Sequence, residues 1–225
     1  MDKLSARINR LPVSATLAMA AKARELKNQG VDVIGLSLGE PDFNTPEFIK
    51  DAAIKAVQDN WNSYSPVDGY ADLKEAICNK FKRDNGLDYK PSQIVVSTGA
   101  KQSIANVCMV LLNPGDEVLL PAPYWVSYSA IATLAEAESI IIPSTIATDF
   151  KITPEQLEAA ITPKTKLVMF NSPNNPSGTI FTEAEYRALG KVLEKYPDIF
   201  ILSDEIYEHI NYGTPHFSFA AIPEL

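Results

Sequence analysis

Hydrophobic and polar positions follow two rhythms along this chain: helical spacing and short unbroken apolar runs. Ser14 to Gln29 places Leu17, Ala20, Ala21, Ala23 and Leu26 at helical spacing, and Gly30 stands where a helix would stop. Val31–Leu38 reads as a strand. Thr45-Pro46-Glu47 opens a second helix with a capping hydroxyl, a proline at the first helical position and an acid in the first turn. The apolar set of that helix is Phe48, Ile49, Ala52, Ala53, Ala56 and Val57. Tyr70–Asn85 is a third amphipathic helix, closed by Gly86. From there the alternation tightens. Strands are predicted at Ile94–Ser97, Glu117–Leu120, Ser139–Ile142, Lys166–Phe170 and Ile199–Ser203. Helices fall between or after them at about Lys101–Leu112, Tyr124–Ala135, Pro154–Ile161 and Glu183–Tyr196. The strands are apolar at consecutive positions, as strands buried on both faces are. Strands of that kind alternating with helices predict an α/β fold: a mostly parallel sheet with helices on both faces.

No internal repeat or linker interrupts this order. Asn113-Pro114-Gly115-Asp116 and Pro121-Ala122-Pro123 are tight helix–strand punctuation. The first ninety residues are less regular. The expected organisation is an N-terminal arm with part of a smaller domain over 1–45, then a large domain over 46–225.

Composition narrows the classes. The chain has 225 residues, 46% hydrophobic and 21% charged, which suits a globular domain with a sizeable core and excludes a disordered or low-complexity chain. A net charge of −8 removes the basic footprint of a nucleic-acid binder. The longest apolar runs, Ile140–Ile142 and Leu167–Phe170, are far too short to span a bilayer. The opening MDKLSARINR has no apolar core of a secretory leader. Cys78 and Cys108 fall in separate helical segments and read as reduced thiols. A cytoplasmic protein acting on small molecules is the expectation.

In open α/β sheets, ligands bind at the carboxyl ends of the strands. The residues just past the predicted strands are Thr98-Gly99-Ala100-Lys101-Gln102, Pro121-Ala122-Pro123-Tyr124-Trp125, Asn171-Ser172-Pro173-Asn174-Asn175-Pro176-Ser177-Gly178 and Asp204-Glu205-Ile206-Tyr207. Each admits a plain reading and a functional one. Thr98-Gly99-Ala100 is either a simple turn or an anion cradle at a helix N-terminus, where backbone N–H groups point at a phosphate. Lys101 favours the cradle, because a cation in the first turn opposes the helix dipole unless an anion sits nearby. Trp125 is either core or a stacking surface for a flat ligand. Asn175 is either a turn former or a hydrogen-bond donor to a ligand. Asp204 is either a helix cap or a carboxylate paired with a ligand cation, and Tyr207 is either a surface aromatic or a phenol bonding the same ligand. The functional readings together describe a flat, phosphorylated, cationic heterocycle, and pyridoxal phosphate fits that description.

The segments STGAKQ, PAPYWVSY, NSPNNPSG and SDEIYEHI, in this order and spacing, resemble the class I aminotransferases of fold type I, in particular the bacterial aspartate aminotransferase branch. The likeness extends to Leu38-Gly39-Glu40-Pro41-Asp42-Phe43 and Tyr64-Ser65-Pro66-Val67-Asp68-Gly69-Tyr70, and so over nearly the whole chain. It implies a pyridoxal-phosphate-dependent exchange of amino groups between an amino acid and a 2-oxo acid, in a homodimer with shared sites. By resemblance, Gly99, Ala100 and Lys101 lie at the cofactor's phosphate and Trp125 stacks on its ring. Asn175 and Tyr207 bond the phenolic oxygen, and Asp204 pairs with the ring nitrogen. Tyr64 reaches the phosphate of the neighbouring subunit. Gly39, Trp125 and Asn175 contact the amino-acid substrate, and Lys101 has a second possible task at the distal carboxylate of an acidic one.

The chain departs from the family beyond Asp204. The resemblance places the Schiff-base lysine some way past that residue, whereas the last lysine here is Lys195 and the sequence ends at Leu225. The arginine that grips the substrate's α-carboxylate would come later still. By the same resemblance, two later strands belong between Ile94–Ser97 and Ile199–Ser203, so a gap with two unpaired edges is expected there. Three readings compete: the amino-terminal part of a transaminase, inactive on its own; a catalytically inactive aminotransferase-like binding module; and an unrelated nucleotide-binding domain. The last calls for GxGxxG or a P-loop, and the sequence has neither. The second calls for drift at cofactor positions, whereas Lys101, Trp125, Asn175, Asp204 and Tyr207 are all in place. The first is the expectation carried forward.

Overall fold

The apolar runs pair as a four-stranded, wholly parallel sheet. The computed structural model describes residues 3–12, 15–36, 39 and 41–225, with the side chains of residues 15 and 16 left aside. In chain order the helices are α1 (Ala6–Asn9), α2 (Ala15–Asn28), α3 (Glu47–Gln58) and α4 (Ala71–Lys80), which runs into a π-helical turn at Phe81–Asn85. Next come α5 (Ala100–Leu111), β1 (Glu117–Pro121), α6 (Ser127–Leu134), β2 (Glu138–Ile142), α7 (Pro154–Ala160), β3 (Thr165–Asn171), α8 (Glu183–Leu193) and β4 (Phe200–Asp204). The strand order is β2-β1-β3-β4. Glu117 pairs with Glu138, Leu167 with Phe200 and Asn171 with Asp204. The chain divides into two compact units, 12–67 and 1–11 with 68–225. The second contains the whole sheet.

Period-two geometry sorts the strand side chains into two cores. Val118, Leu120, Leu167 and Met169 join Ile104 and Cys108 of α5 and Tyr128, Ile131 and Ala132 of α6 on one face. Leu119, Val168 and Phe170 join Leu157 of α7 and Tyr186, Leu189 and Leu193 of α8 on the other. Phe170, Phe181, Tyr186 and Phe219 form the aromatic centre of that second core; the Phe170 and Phe219 rings stack at 5.0 Å. This three-layer arrangement is the predicted fold class. Both cysteines are free, and burial pushes the Cys108 thiol up to about 11.

Two helix starts show how local chemistry fixes the elements. Thr153 caps α7 and Thr182 caps α8. In each, the hydroxyl accepts from the backbone N–H three residues on, and the Gln156 or Glu185 side chain returns to the cap's own N–H. The start of α3 differs from expectation. Its cap position is Pro46, one residue later than the predicted Thr45, and no side chain caps it.

Two predicted strands are not strands. Residues 31–36 form no ladder, and Ser37 and Leu38 lie outside the described residues. Ile94–Ser97 leads away from Ile94 in extended backbone (φ −107°, ψ 130°), yet among the described residues no strand pairs with it. Val96 N–H donates to the Asp68 carbonyl at 3.1 Å. The same approach brings Gly69 against Val96: a Cβ on Gly69 would sit 2.5 Å from Val96 Cγ2. A groove of about 950 Å³ runs between this segment and β4, lined by Val95, Ile104, Phe200 and Leu202 among others. Among the described residues no helix is long and apolar enough to cross a membrane.

Candidate active site

Parallel strands deliver their outgoing loops to one edge, and the sequence-predicted residues of the second unit gather there. Gly99 precedes α5 with φ 83° and ψ 159°, a backbone that residues with a Cβ rarely adopt. No atom lies within 4 Å of where a Cβ would stand, so the approach to the helix N-terminus is open. The first-turn N–H groups, those of Ala100 and Lys101 among them, have no acceptor within the helix. Beside that terminus the Lys101 ammonium lies 4.8 Å from the centre of the Trp125 ring.

Asp204 ends β4 and is 9% exposed. Its Oδ2 accepts a hydrogen bond of 2.6 Å from the Tyr128 hydroxyl, and its Oδ1 accepts from the Ile206 N–H at 3.3 Å. Burial, and then the Asp204 charge, push the Tyr128 phenol far above its ordinary range, so it stays protonated and donates. Among the described residues no Lys, Arg or His pairs with Asp204. A carboxylate this buried without a cation is expensive unless a ligand supplies one.

The loop after β3 completes the edge. Asn171 Nδ2 donates to the Asp204 carbonyl at 2.8 Å, and Asn171 Oδ1 accepts from the Asn175 N–H at 2.7 Å. Asn175 Nδ2 in turn donates to the Tyr207 hydroxyl at 3.3 Å. Asn174 ties this loop to the one after β1, donating to the Pro123 carbonyl at 3.2 Å. Asn175, Tyr207 and Asp204 thus share one network, and Trp125 joins it through Tyr128, whose ring meets it edge-on at 5.5 Å.

Two predicted residues fall in the other compact unit. Gly39 and Tyr64 belong to the 12–67 unit, where both are exposed. The segment Leu38-Gly39-Glu40 is described only at Gly39. Sequence reasoning missed Tyr128 and Asn171. Tyr128 falls three residues after Trp125, which hinted at a shared side of the helix start. Asn171 is a polar residue closing an apolar strand, the same signal that singled out Asp204.

The edge thus gathers an open helix N-terminus, a flat aromatic, a buried carboxylate without a cation among the described residues and an amide–phenol pair, a donor set that could hold a phosphorylated heterocycle. The chain matches the family "Aminotransferase class I and II" over residues 31–225 and belongs to it. It is 52% identical over 208 residues to the aspartate/prephenate aminotransferase of Nitrosomonas europaea, covering 92% of this chain and 52% of that one. It is 49% identical to the aspartate aminotransferase of Bacillus subtilis, covering 99% of this chain and 56% of the relative. The crystal structure of the aspartate aminotransferase from Rhizobium meliloti superimposes with a TM-score of 0.96 at 44% identity, over 100% of this chain and 57% of that one. The chain spans about half the length of the curated relatives it matches. The family is pyridoxal-phosphate dependent.

Proposed function

We propose that the protein to which this chain belongs transfers amino groups between an amino acid and a 2-oxo acid with pyridoxal phosphate held at the strand-end edge. One observation carries the reading: Asp204 is a buried carboxylate with no cationic partner among the described residues. The donor set fits the cofactor. The N-terminus of α5, with Gly99, Ala100 and Lys101, suits its phosphate. Trp125 offers a face for its ring, Asn175 and Tyr207 suit its phenolic oxygen, and Asp204 suits its ring nitrogen. When bound, pyridoxal phosphate supplies a pyridinium ring that withdraws electrons from the amino acid's α-carbon.

The chain's own residues do the rest. Asp204 favours the proton on the ring nitrogen, because a nearby anion stabilises the charged form. Asn175 and Tyr207 present an amide and a phenol to the opposite pole. Lys101 brings a positive charge to the cradle, where it faces a phosphate or the distal carboxylate of an acidic substrate. That charge and the names of the relatives support aspartate, or another acidic or aromatic amino acid, as donor. Gly39 is read as a substrate contact. Tyr64 is read as reaching the neighbouring subunit's cofactor in a homodimer. In this reading 46–225 is the cofactor-binding domain and 1–45 the arm and part of the smaller one.

Several of the chain's lysines already have partners of their own. Lys101 lies over Trp125, and Lys151 and Lys195 are engaged with Glu185 and Glu158. From the family resemblance the linking lysine is read as one outside these 225 residues, which would then be inactive alone. The test is borohydride reduction of the full protein with pyridoxal phosphate, then mapping of the adduct. An adduct outside these 225 residues, together with turnover of an amino acid and a 2-oxo acid, supports the reading. A stoichiometric adduct on one of this chain's lysines sinks its last part, and failure to retain the cofactor sinks the whole. The binding-module alternative predicts retention without turnover.

A further inference from the structure

We propose that Tyr128 is the positioning residue for Asp204, its hydroxyl fixing the carboxylate at the end of β4 so that the remaining lone pairs face the ligand cation. This rests on reading Asp204 as the partner of the cofactor's ring nitrogen.

Four observations carry it. The Tyr128 hydroxyl donates to Oδ2 at 2.6 Å, the length of a hydrogen bond between a hydroxyl and an ionised carboxylate. Tyr128 is 1% exposed and locked among Ile104, Cys108, Val118, Ile131, Leu167 and Met169, so its hydroxyl cannot easily swing away. It is tied to Trp125 twice, by its N–H donating to the Trp125 carbonyl at 3.0 Å and by the edge-on ring contact. Finally, a carboxylate accepts about four hydrogen bonds. Here the Tyr128 hydroxyl and the Ile206 N–H take one on each oxygen, which leaves lone pairs for a ligand. One side chain thus sets both the carboxylate and the aromatic that flank the same ligand position. With the phenol held protonated by burial, the donor never becomes a competing anion.

A buried hydrogen bond with a purely structural role would alter stability and nothing else. A positioning role also alters the ligand's protonation. The measurement is the ring-nitrogen ¹⁵N resonance of the full protein loaded with ring-¹⁵N pyridoxal phosphate, recorded across pH. Tyr128→Phe keeps the ring and its packing. It should move the resonance toward neutral pyridine at a given pH, and lower kcat about tenfold with a smaller change in KM. An unchanged resonance in a folded Tyr128→Phe protein overturns the proposal. A second measurement needs no Tyr128 variant: the unsubstituted protein should show a far-downfield hydroxyl proton that Asp204→Asn abolishes, and its absence also overturns the proposal. Asp204→Asn separates the two readings. If it shifts the ¹⁵N resonance and Tyr128→Phe does not, the positioning role alone fails. If it leaves the resonance in place, the reading of Asp204 fails and takes the proposal with it.

Discussion

At the scale of single residues, the site rests on groups whose chemistry is set by burial. Asp204 meets two donors and, among the described residues, no cation, which leaves its charge for a ligand to match in the proposed reading. Asp204→Ala in the full protein should therefore lose turnover far more than cofactor retention, because the phosphate cradle and Trp125 are untouched. Removing a buried charge partner costs about 3 kcal/mol, which is about a hundredfold in rate. Steady-state kinetics alongside cofactor titration would measure both, and near-normal turnover rejects the role. Gly99 carries a different constraint. Its φ of 83° with ψ 159° suits glycine, and no neighbour blocks a Cβ. Gly99→Ala should then cost about 1–3 kcal/mol through backbone strain alone, seen as a lower denaturant midpoint and weaker binding of pyridoxal phosphate. Asp204 was legible as a polar residue ending an apolar strand, and Gly99 as a small residue before a helix. Tyr128 was not, because a tyrosine at helical spacing among apolar residues looks like core, and it is core except for its hydroxyl.

At the scale of elements, the helices and the strands of the four-stranded sheet were legible wherever the signal was local. Unbroken apolar runs and the helical spacing between them placed α5 to α8 and β1 to β4 within a few residues. The start of α8 can be tested directly. Thr182 accepts from the Glu185 N–H, and both its N–H and its hydroxyl donate to the Glu185 carboxylate. Burial pushes the Glu185 carboxyl up, but the Thr182 bonds and Lys151 outweigh it and hold the group below its usual value. A carboxyl lowered on folding stabilises the fold above its unfolded pKa, and that share is lost as pH falls through the folded one. Thr182→Ala should cost about 1 kcal/mol near neutrality. The deficit should narrow as pH falls below about 4.3, the usual glutamate value, when urea midpoints are compared. A constant deficit down to pH 2 removes Glu185 from the explanation. Ile94–Ser97 shows where local reading ends. Its apolar run is strand-like, but a strand is defined by a neighbour, and pairing is not written in the run itself.

At the scale of the whole molecule, the sheet is bordered by β2 and β4, and β4 pairs on one side only among the described residues. Its first residue, Phe200, is 46% exposed, and the groove toward Ile94–Ser97 keeps further apolar surface open. An unpaired strand edge beside apolar surface invites association. The isolated 225-residue chain should associate with rising concentration, and Phe200→Lys should shift it toward monomer in sedimentation velocity. A concentration-independent monomer for both would show that the edge is not sticky. The sheet's alternation has a further effect on how this protein tolerates change. Leu119 and Leu120 are neighbours in the chain yet face opposite cores, whereas Leu119 and Val168, far apart in sequence, share one. Their energetic ties should track the layers: truncating Leu119 and Leu120 together should cost close to the sum of the separate losses, while truncating Leu119 with Val168 should not. Adjacent codons in these strands can then drift as strangers, and distant ones must compensate as partners.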